Sequence, residues 1–380
     1  MKIEQTRWTE VTGWQPERPG KQGLAAQLVF LFGSREILGI EKIVSHVRAG
    51  YPDAHFIGCS TAGEIFGPSV SDDSLVATAV EFAHTRLQVV ATPVKDSEDS
   101  LHAGERIARL LEHEDLSHVL VLAEGTFVNG SELVNGLTKY LPEGVSVTGG
   151  LAGDGTAFNE TRLLWDSQMS KVAVVAVGFF GHRLKIGYAS LGGWDPFGPE
   201  RRITRSSGNV LYELDGKSAL ELYKLYLGEE AAKGLPSTGM LFPLSVRSNL
   251  RDTAVVRTVW SINEADQSMI FTGNLPDGGY ARLMKANFDR LIDGAMGAAR
   301  TSFDALGPAS PDLAILISCV ARKMVLKQRT EEEVEGVRDV MGERTVLAGF
   351  YSNGEISPFR PEAKCEHHNQ TMTITTFREE

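Results

Sequence analysis

The densest group of side chains that could bind a metal lies near the end of the chain, where residues 365–371 read Cys-Glu-His-His-Asn-Gln-Thr. Neutral imidazole is a common ligand of zinc and the proximal ligand of many haem irons, and cysteine thiolate also binds haem. The chain has no CxxC pair and no CxxCH, so it indicates neither a structural zinc site nor covalently attached haem. Two interpretations stay open. His367, His368 and Cys365 bind a metal or haem, or the histidines are hydrogen-bonded in a loop beside Asn369 and Gln370.

Three glycine-rich turns form a second group of candidates. They read Gly58-Cys-Ser-Thr-Ala-Gly63-Glu64, Gly149-Gly-Leu-Ala-Gly153-Asp154 and Gly349-Phe-Tyr-Ser-Asn-Gly354-Glu355, so each places an acid directly after its last glycine. Glycine lets a ligand or another backbone approach closely, and ligands of α/β proteins often sit at strand ends. The turns therefore predict ligand pockets, unless the glycines only relieve tight turns and the acids cap nearby N–H groups. The pocket candidates are Gly58, Gly63, Glu64, Gly149, Asp154, Gly349, Tyr351, Asn353, Gly354, Glu355 and Asn369.

The same turns lack the signatures of three common catalytic or nucleotide-binding motifs. The chain contains no GxxxxGK[ST], and Gly149 to Gly153 does not have the GxGxxG order of a dinucleotide site. Gly58-Cys-Ser60 lacks the GxSxG spacing of a nucleophile elbow. Because no nucleophile and base are paired by spacing, we predict a binding protein that is not an enzyme.

The elements around the turns repeat three times. Each copy has an apolar strand, a segment with helical spacing, a second strand, the glycine turn and a further strand. The predicted copies are 28–32, 34–47, 55–57 and 75–82; then 119–123, 131–140, 145–148 and 172–179; then 313–317, 331–341, 345–348 and 371–377. The middle of the chain reads as a meander of strands with a helix at 217–227.

These patterns predict a mixed α/β fold with mixed sheets, in two domains built from related strand-helix-strand-turn-strand units. A length of 380 residues also favours two domains. The turn-rich stretch 192–199 is the predicted joint. We therefore expect a lead-in at 1–24, an N-terminal domain at 25–195 and a C-terminal domain at 196–380.

Composition narrows the classes of function. The formal net charge of −11 disfavours binding to nucleic acid. The longest apolar run, 172–180, is far too short to cross a membrane, and the N-terminus lacks the apolar stretch of a signal peptide. Three cysteines exclude a disulfide scaffold, so a reducing compartment fits best and we expect a cytoplasmic protein. A homo-oligomer is compatible with all of this.

Four passages together resemble the FIST sensory family, which has a FIST N-terminal domain followed by a FIST C-terminal domain. They are Gly58-Cys-Ser-Thr-Ala-Gly-Glu-Ile65, Glu213-Leu-Asp-Gly-Lys-Ser-Ala-Leu-Glu-Leu-Tyr223, Gly349-Phe-Tyr-Ser-Asn-Gly-Glu-Ile-Ser-Pro358 and Cys365-Glu-His-His-Asn-Gln-Thr-Met-Thr373. The resemblance implies a sensor that binds a small ligand and signals to a histidine kinase, a cyclic-di-GMP enzyme or a chemotaxis receptor. Stand-alone members include the nitric-oxide-sensing haemoproteins called NosP.

The resemblance leads to one hypothesis and one alternative. In the first, the protein binds haem b and responds to nitric oxide, with His368 as the ligand of the haem iron, His367 second and Cys365 third. His368 matches the family's Cys-x-x-His-Asn-Gln pattern, whereas His367 stands where the pattern is commonly apolar. In the alternative, the chain senses a small polar metabolite such as an amino acid, with Glu64, Asp154 and Glu355 facing its amine.

Overall fold

The computed structural model describes residues 1–380, and most of the chain folds as three copies of one unit. Each copy has an edge strand, a central strand, a helix, a second strand parallel to the central one, a glycine turn and a returning strand. The predicted repeat is therefore confirmed. The first unit contains β1 (Lys2–Thr9), β2 (Gly13–Gln15), β3 (Leu28–Gly33), α1 (Arg35–Leu38), α2 (Glu41–Gly50), β4 (His55–Ser60), β5 (Glu64–Phe66), β6 (Ser69–Ser71) and β7 (Ser74–Glu81). The second contains β8 (Arg86–Pro93), α3 (Ser100–Leu110), β9 (Leu116–Ala123), α4 (Gly130–Tyr140), β10 (Ser146–Leu151), β11 (Leu163–Trp165), β12 (Gln168–Ser170) and β13 (Ala173–Phe180).

The third unit is interrupted after its edge strand, β14 (Leu184–Leu191), by residues 195–285. This insertion, called the small unit below, has its own sheet and one helix. It contains β15 (Asp195–Pro196), β16 (Arg201–Ser207), β17 (Val210–Leu214), β18 (Lys217–Ser218), α5 (Ala219–Lys233), β19 (Leu244–Arg247), β20 (Val255–Arg257), β21 (Val259–Asn263), β22 (Ser268–Phe271) and β23 (Tyr280–Lys285). The third unit resumes with α6 (Phe288–Asp304), β24 (Leu313–Cys319), α7 (Val320–Leu326), α8 (Thr330–Met341), β25 (Val346–Ser352), β26 (Gly354–Pro358), β27 (Cys365–His368) and β28 (Met372–Glu379).

The three units, called the body below, share one core. Every residue of the central strands β3 and β24 is buried, as expected for strands covered on both faces. The inner faces of the three sheets meet in a cluster of 22 buried apolar residues that includes Phe30, Leu120 and Ile315. Helix α2 covers the outer face of the first sheet, α3 and α4 that of the second, and α6 and α8 that of the third.

The glycine turns close the three units into a ring. After each turn the chain leaves its own sheet and pairs antiparallel with the sheet of another unit. Strand β5 joins β25, β26 joins β10, and β11 joins β4. Each unit therefore completes one neighbour and is completed by the other, which brings the three turns together at one side of the body.

The mixed α/β class predicted from the sequence is confirmed, with four mixed or antiparallel sheets. The small unit begins at residue 195, at the predicted joint. Residues 286–380 do not stay with it, however, because β24, β25 and β28 complete the body. The sequence marks the joint but not this return, since the choice of sheet depends on distant partners. No helix of the chain is both long and apolar enough to span a membrane.

Candidate functional site

The segment Cys365–Thr371 lies in the seam between the body and the small unit. Its strand β27 is held to the body by pairing with β26. From the other side, Arg257 Nη1 of the small unit donates a hydrogen bond to the carbonyl oxygen of His367 at 2.8 Å. The Thr272 hydroxyl donates to Asn369 Oδ1 at 2.6 Å. The space around this segment, bordered by residues 125–131, 257–274 and 353–371, is called the cleft below.

Buried polar atoms without a hydrogen-bond partner are concentrated in or beside this cleft. Eleven buried side-chain nitrogen or oxygen atoms of the chain have no partner, and seven of them are here. Leaving such an atom unpaired costs about 1–3 kcal/mol, and most buried polar atoms in proteins are paired. The cluster therefore indicates a place where a polar ligand or water supplies the missing partners. The seven atoms are Thr258 Oγ1, Asn353 Oδ1, His367 Nδ1 and Nε2, His368 Nδ1, Asn369 Nδ2 and Gln370 Oε1.

The first cavity of the cleft has a volume of about 250 Å³ and walls from both parts of the protein. The body contributes residues 125–129 and Asn353, and the small unit contributes Trp260, Phe271 and Thr272. Asn353 is buried, and its Nδ2 donates to the carbonyl oxygen of Gly125 at 3.0 Å while its Oδ1 has no partner. No charged side chain lines this cavity. It can therefore offer acceptors and aromatic faces to a small ligand.

A second cavity of about 580 Å³ lies on the other side of the α4 N-terminus. The Asn129 side chain, which lines the first cavity, donates to Asn274 Oδ1, which lines the second, at 2.8 Å. The two cavities thus share a wall. Unlike the first, the second is lined by charged side chains, which are Arg247, Asp252, Arg257, Lys364 and Glu366.

The acids of the first two turns are bound to their own turns. Glu64 is fully buried, accepts a short hydrogen bond from the Thr61 hydroxyl, and accepts from the Ser74 hydroxyl at 2.6 Å and its N–H at 3.1 Å. Asp154 accepts from the backbone N–H groups of residues 158–160 at 2.7–3.0 Å. Neither carboxylate lines a cavity of the cleft. The geometry of both acids therefore matches the alternative in which they cap nearby N–H and hydroxyl groups.

Glu355 of the third turn follows the same pattern. Its Oε1 accepts from the Ser352 hydroxyl at 2.7 Å, and its Oε2 accepts from the N–H of Thr371 at 3.1 Å and from its hydroxyl at 2.9 Å. Burial raises the pKa of Glu355 to about 8 and that of Glu64 to about 7. Glu355 thus anchors the end of the 365–371 segment to the third turn.

The first glycine of each predicted turn is required where two parallel strands meet. A Cβ at Gly58 would lie 2.0 Å from the carbonyl oxygen of Leu31. At Gly149 and Gly349 the corresponding distances, to the carbonyl oxygens of the facing central strands, are both 1.8 Å. These glycines therefore serve strand pairing rather than ligand contact, and the three positions are equivalent in the three units.

Two other candidates of the turns contact the third unit. A Cβ at Gly63 would lie 2.5 Å from Lys323 Nζ. The Tyr351 hydroxyl is fully buried and donates to Glu333 Oε1 at 2.7 Å. Of the turn residues predicted from the sequence, the structure thus places only Asn353 in the wall of the first cavity, with Asn369 bonded to Thr272 of that same wall.

The ring of His367 is buried between backbone segments. A Cβ added at Gly130, Gly273 or Gly354 would lie 2.4 Å, 2.9 Å and 2.5 Å, respectively, from its Cδ2, Nδ1 and Nε2. Burial lowers the pKa of His367 far below its usual value, so the imidazole is neutral. Neutral, unpartnered ring nitrogens are the form that metals bind. The close glycines, however, leave no space for a porphyrin at this ring.

His368 and Cys365 are engaged elsewhere. His368 Nε2 lies 2.7 Å from the carbonyl oxygen of Ser357, and burial lowers the pKa of this histidine to about 4. The Cys365 thiol lies 3.4 Å from the carbonyl oxygen of Val147, and burial raises its pKa. Neither histidine lines a cavity of the cleft. In this conformation the three residues do not fit a haem.

The small unit supplies cleft residues that the sequence analysis did not single out. Arg257, Trp260, Thr272 and Asn274 stand in the meander of strands, where no motif distinguishes them. An arginine within an otherwise apolar strand was the one available signal, because buried arginines are rare without a partner. The other three depend on the packing of the small unit onto the body.

Comparison with known proteins places these observations in a family. An uncharacterized protein of Methanocaldococcus jannaschii is 20% identical over an alignment of 357 residues, which covers 88% of this chain and 66% of that relative. The cyanuric acid hydrolase from A. caulinodans covers 100% of this chain and 98% of its own at 8% identity and a TM-score of 0.38. A second cyanuric acid hydrolase structure covers 100% and 99% at 10% identity and a TM-score of 0.29. Both TM-scores are below 0.5, so neither likeness establishes a shared fold or activity.

Two family matches cover most of the sequence. Residues 27–217 match the FIST N domain, and residues 219–358 match the FIST C domain. FIST domains are sensory domains that bind small ligands in signalling. The order of the two matches is the one that the four passages predicted, and the chain belongs to the FIST family.

Proposed function

We propose that the protein is a sensor that binds a small polar metabolite, such as an amino acid, in the first cavity of the cleft. The observation that carries this proposal is the unpartnered Oδ1 of Asn353 in the wall of a cavity shared by the body and the small unit, with six further unpartnered atoms in or beside the same cleft. A ligand that pairs with some of these atoms recovers part of their desolvation cost on binding. The uncharged groups of the cavity would bind the amine of the ligand, because the carboxylate oxygens of the turn acids already accept hydrogen bonds.

Asn353 is the residue that would recognise a donor on the ligand. Its Oδ1 is an acceptor without a partner, held in place because its Nδ2 is bonded to Gly125. The faces of Trp260 and Phe271 line the same cavity and can attract a cationic amine. The volume of about 250 Å³ is near the lower end for ligand pockets, so it fits a molecule of amino-acid size.

Binding would change the relation between the two parts of the protein. The cavity needs the body on one side and the small unit on the other, so a ligand that touches both favours the arrangement in which they are close. A ligand shifts such an equilibrium only by its difference in affinity for the two states. The surface that changes would contact a histidine kinase or a cyclic-di-GMP enzyme, the partners that the family resemblance implies.

A thermal-shift screen with the amino acids and small amines tests the proposal. At least one compound is expected to stabilise the wild type, by about 2.7 kcal/mol when its concentration is a hundred times its dissociation constant. Asn353→Ala, which removes the free acceptor, is expected to bind about fivefold more weakly, the usual effect of losing one hydrogen bond. Asn159→Ala is the control, since this side chain is exposed and outside the cleft. Equal shifts in all three proteins, or none with any compound, would contradict the proposal.

Haem-based sensing of nitric oxide is the second candidate. It is favoured by one observation, the unpartnered nitrogens of His367 and the unpartnered Nδ1 of His368. It is opposed by the close backbone around His367 and by the bond of His368 Nε2 to Ser357. Hemin therefore belongs in the same screen, with an absorption spectrum as the readout. A Soret band that is lost in His368→Ala or His367→Ala would support haem ligation. A spectrum without such a band would remove this candidate.

A further inference from the structure

Arg257 is a buried cation without an anionic partner. The residue is 3% exposed, and its side-chain hydrogen bonds go only to uncharged acceptors. Nε donates to the carbonyl oxygen of Asn274 at 3.0 Å, and Nη1 donates to those of Val256 at 3.2 Å and His367 at 2.8 Å. Nη2 has one long bond, at 3.4 Å, to the Ser131 hydroxyl. Burial lowers the pKa of Arg257 to about 10, so it stays charged at neutral pH.

An uncompensated buried charge is expensive, and removing the partner of a buried pair costs about 3–5 kcal/mol. The other buried arginine of the chain, Arg322, shows how this charge is usually met, since its Nη2 lies 2.7 Å from Glu333 Oε2. Glu366 is the acid that influences Arg257, but the two side chains form no ion pair. Arg257 therefore lacks the counter-charge that its burial calls for.

Arg257 and two other polar groups converge at Gly273. A Cβ on this glycine would lie 2.9 Å from Arg257 Nε, 2.9 Å from His367 Nδ1 and 3.0 Å from the Ser131 hydroxyl. Because Gly273 has no side chain, these three polar atoms can pack closely around it. His367 Nδ1 is fully buried and unpartnered, which independently indicates that something polar belongs there.

This group of polar atoms adjoins the second cavity. Arg257 and Ser131 line that cavity of about 580 Å³, and Ser131 stands in the first turn of α4. The partial positive charge of a helix N-terminus favours an anion at this point. Among the other charged groups of the lining, Arg247 is paired with Glu200 at 2.7 Å, and Asp252 accepts from Asn249 at 2.9 Å. Of the two acids that line the second cavity, only Glu366 has no hydrogen bond of this kind, so it is the acid that would repel a bound anion.

We propose that Arg257, Ser131 and the ring of His367 form a binding site for an oxyanion, the carboxylate or phosphate group of a small molecule whose remainder occupies the second cavity. The guanidinium would bind an oxygen through Nη2, since Nε and Nη1 already donate to carbonyl oxygens and Nη2 has only the long bond to Ser131. The Ser131 hydroxyl and a protonated His367 Nδ1 of the neutral ring would donate as well. This site is independent of the first cavity and of the ligand proposed for it.

Calorimetric titration with sodium phosphate and, separately, sodium acetate tests the site, in Tris chloride at constant ionic strength. Wild type is expected to bind at least one of the two salts, and the preferred salt tells phosphate from carboxylate. Arg257→Gln is expected to weaken binding by about tenfold or more, as loss of a charged hydrogen bond does. Gly273→Ala keeps the charge, but its Cβ would push Arg257, His367 and Ser131 out of this arrangement, so it should weaken binding similarly.

Two further variants separate this site from a general charge effect. Glu366→Gln removes the opposing acid and is expected to tighten binding several-fold, in the direction opposite to the other variants. Arg300→Gln is the control, because Arg300 is exposed on α6 and should leave the affinity unchanged. The proposal would be overturned if neither phosphate nor acetate bound to the wild type. Equal affinities of wild type, Gly273→Ala and Glu366→Gln would also overturn it, even if Arg257→Gln failed to fold. A negative amino-acid screen would leave it intact.

Discussion

Replacing Gly349 with alanine is expected to prevent folding or to lower the free energy of unfolding by more than about 4 kcal/mol, the range reached only by severe core defects. The reason is the contact between β24 and β25. A Cβ at Gly349 would lie 1.8 Å from the carbonyl oxygen of Leu316 and 2.7 Å from its carbonyl carbon. These are backbone atoms of a fully buried strand, so they cannot move aside as a flexible side chain would.

Denaturant unfolding followed by circular dichroism measures this effect. Gly297→Ala is the matched control, because its Cβ would meet only the end of the Leu191 side chain, at 3.0 Å. That substitution adds an alanine to helix α6 and is expected to change stability by no more than about 1 kcal/mol. Near-native stability of Gly349→Ala would show that the close strand approach in the third unit is wrong.

Replacing Arg322 with methionine is expected to destabilise the protein by about 3–5 kcal/mol, because it leaves Glu333 buried without its partner. Both side chains are fully buried, and Nε and Nη2 of Arg322 donate to Glu333 Oε2 at 3.0 Å and 2.7 Å. Arg322 also donates to the carbonyl oxygens of Gly192 at 2.6 Å and Leu291 at 2.7 Å. It thus ties α7 to α8, to α6 and to the loop that precedes the small unit.

The double variant Arg322→Met with Glu333→Leu separates charge from packing. It is expected to recover part of the lost stability, since replacing both members of a buried pair is tolerated better than removing one. Recovery should be incomplete, because the two carbonyl oxygens lose their donor and the hydroxyls of Tyr351 and Ser318 lose their acceptor. The free energies of unfolding of the wild type, Arg322→Met, Glu333→Leu and the double variant are compared by urea unfolding. A double variant less stable than both single variants would argue against a paired charge.

The repeat and most of its elements could be predicted from the sequence because they depend on local patterns. The strand predicted at 28–32 is β3 (Leu28–Gly33), and the helix predicted at 131–140 is α4 (Gly130–Tyr140). The strand predicted at 313–317 is β24 (Leu313–Cys319). Continuous apolar runs identify strands covered on both faces, and helical spacing identifies one-sided burial.

The exchange of strands between units could not be predicted in the same way. Residues 64–66 follow the first turn but pair with β25, nearly 290 residues later. Pairing depends on which edge is free when the units pack, and no local pattern records that. For the same reason the sequence could mark residue 195 as a joint without showing that β24 to β28 belong to the body.

The candidate site was predicted in part. The tail segment does lie in the cleft, and Asn353 and Asn369 contribute to it or contact its wall. The turn acids were expected to face a ligand. The carboxylates of Glu64 and Glu355 instead accept hydrogen bonds from nearby hydroxyl groups, those of Ser74 and Ser352. A glycine followed by an acid looks the same in the sequence whether the acid contacts a ligand or caps its turn. The neighbouring hydroxyl groups in the fold determine which role it has. Arg257 and Trp260 come from the inserted small unit, where the family resemblance named no site.

The fluorescence of Trp260 tests the central claim, that a small polar ligand binds between the body and the small unit, most directly. Trp260 lines the first cavity, whereas Trp165 lies in β11 and lines neither cavity of the cleft. The account predicts that the stabilising compound changes the emission of wild type and of Trp165→Phe with the same dissociation constant, and that the change is lost in Trp260→Phe. An emission change that persists undiminished in Trp260→Phe would place the ligand elsewhere and contradict the account.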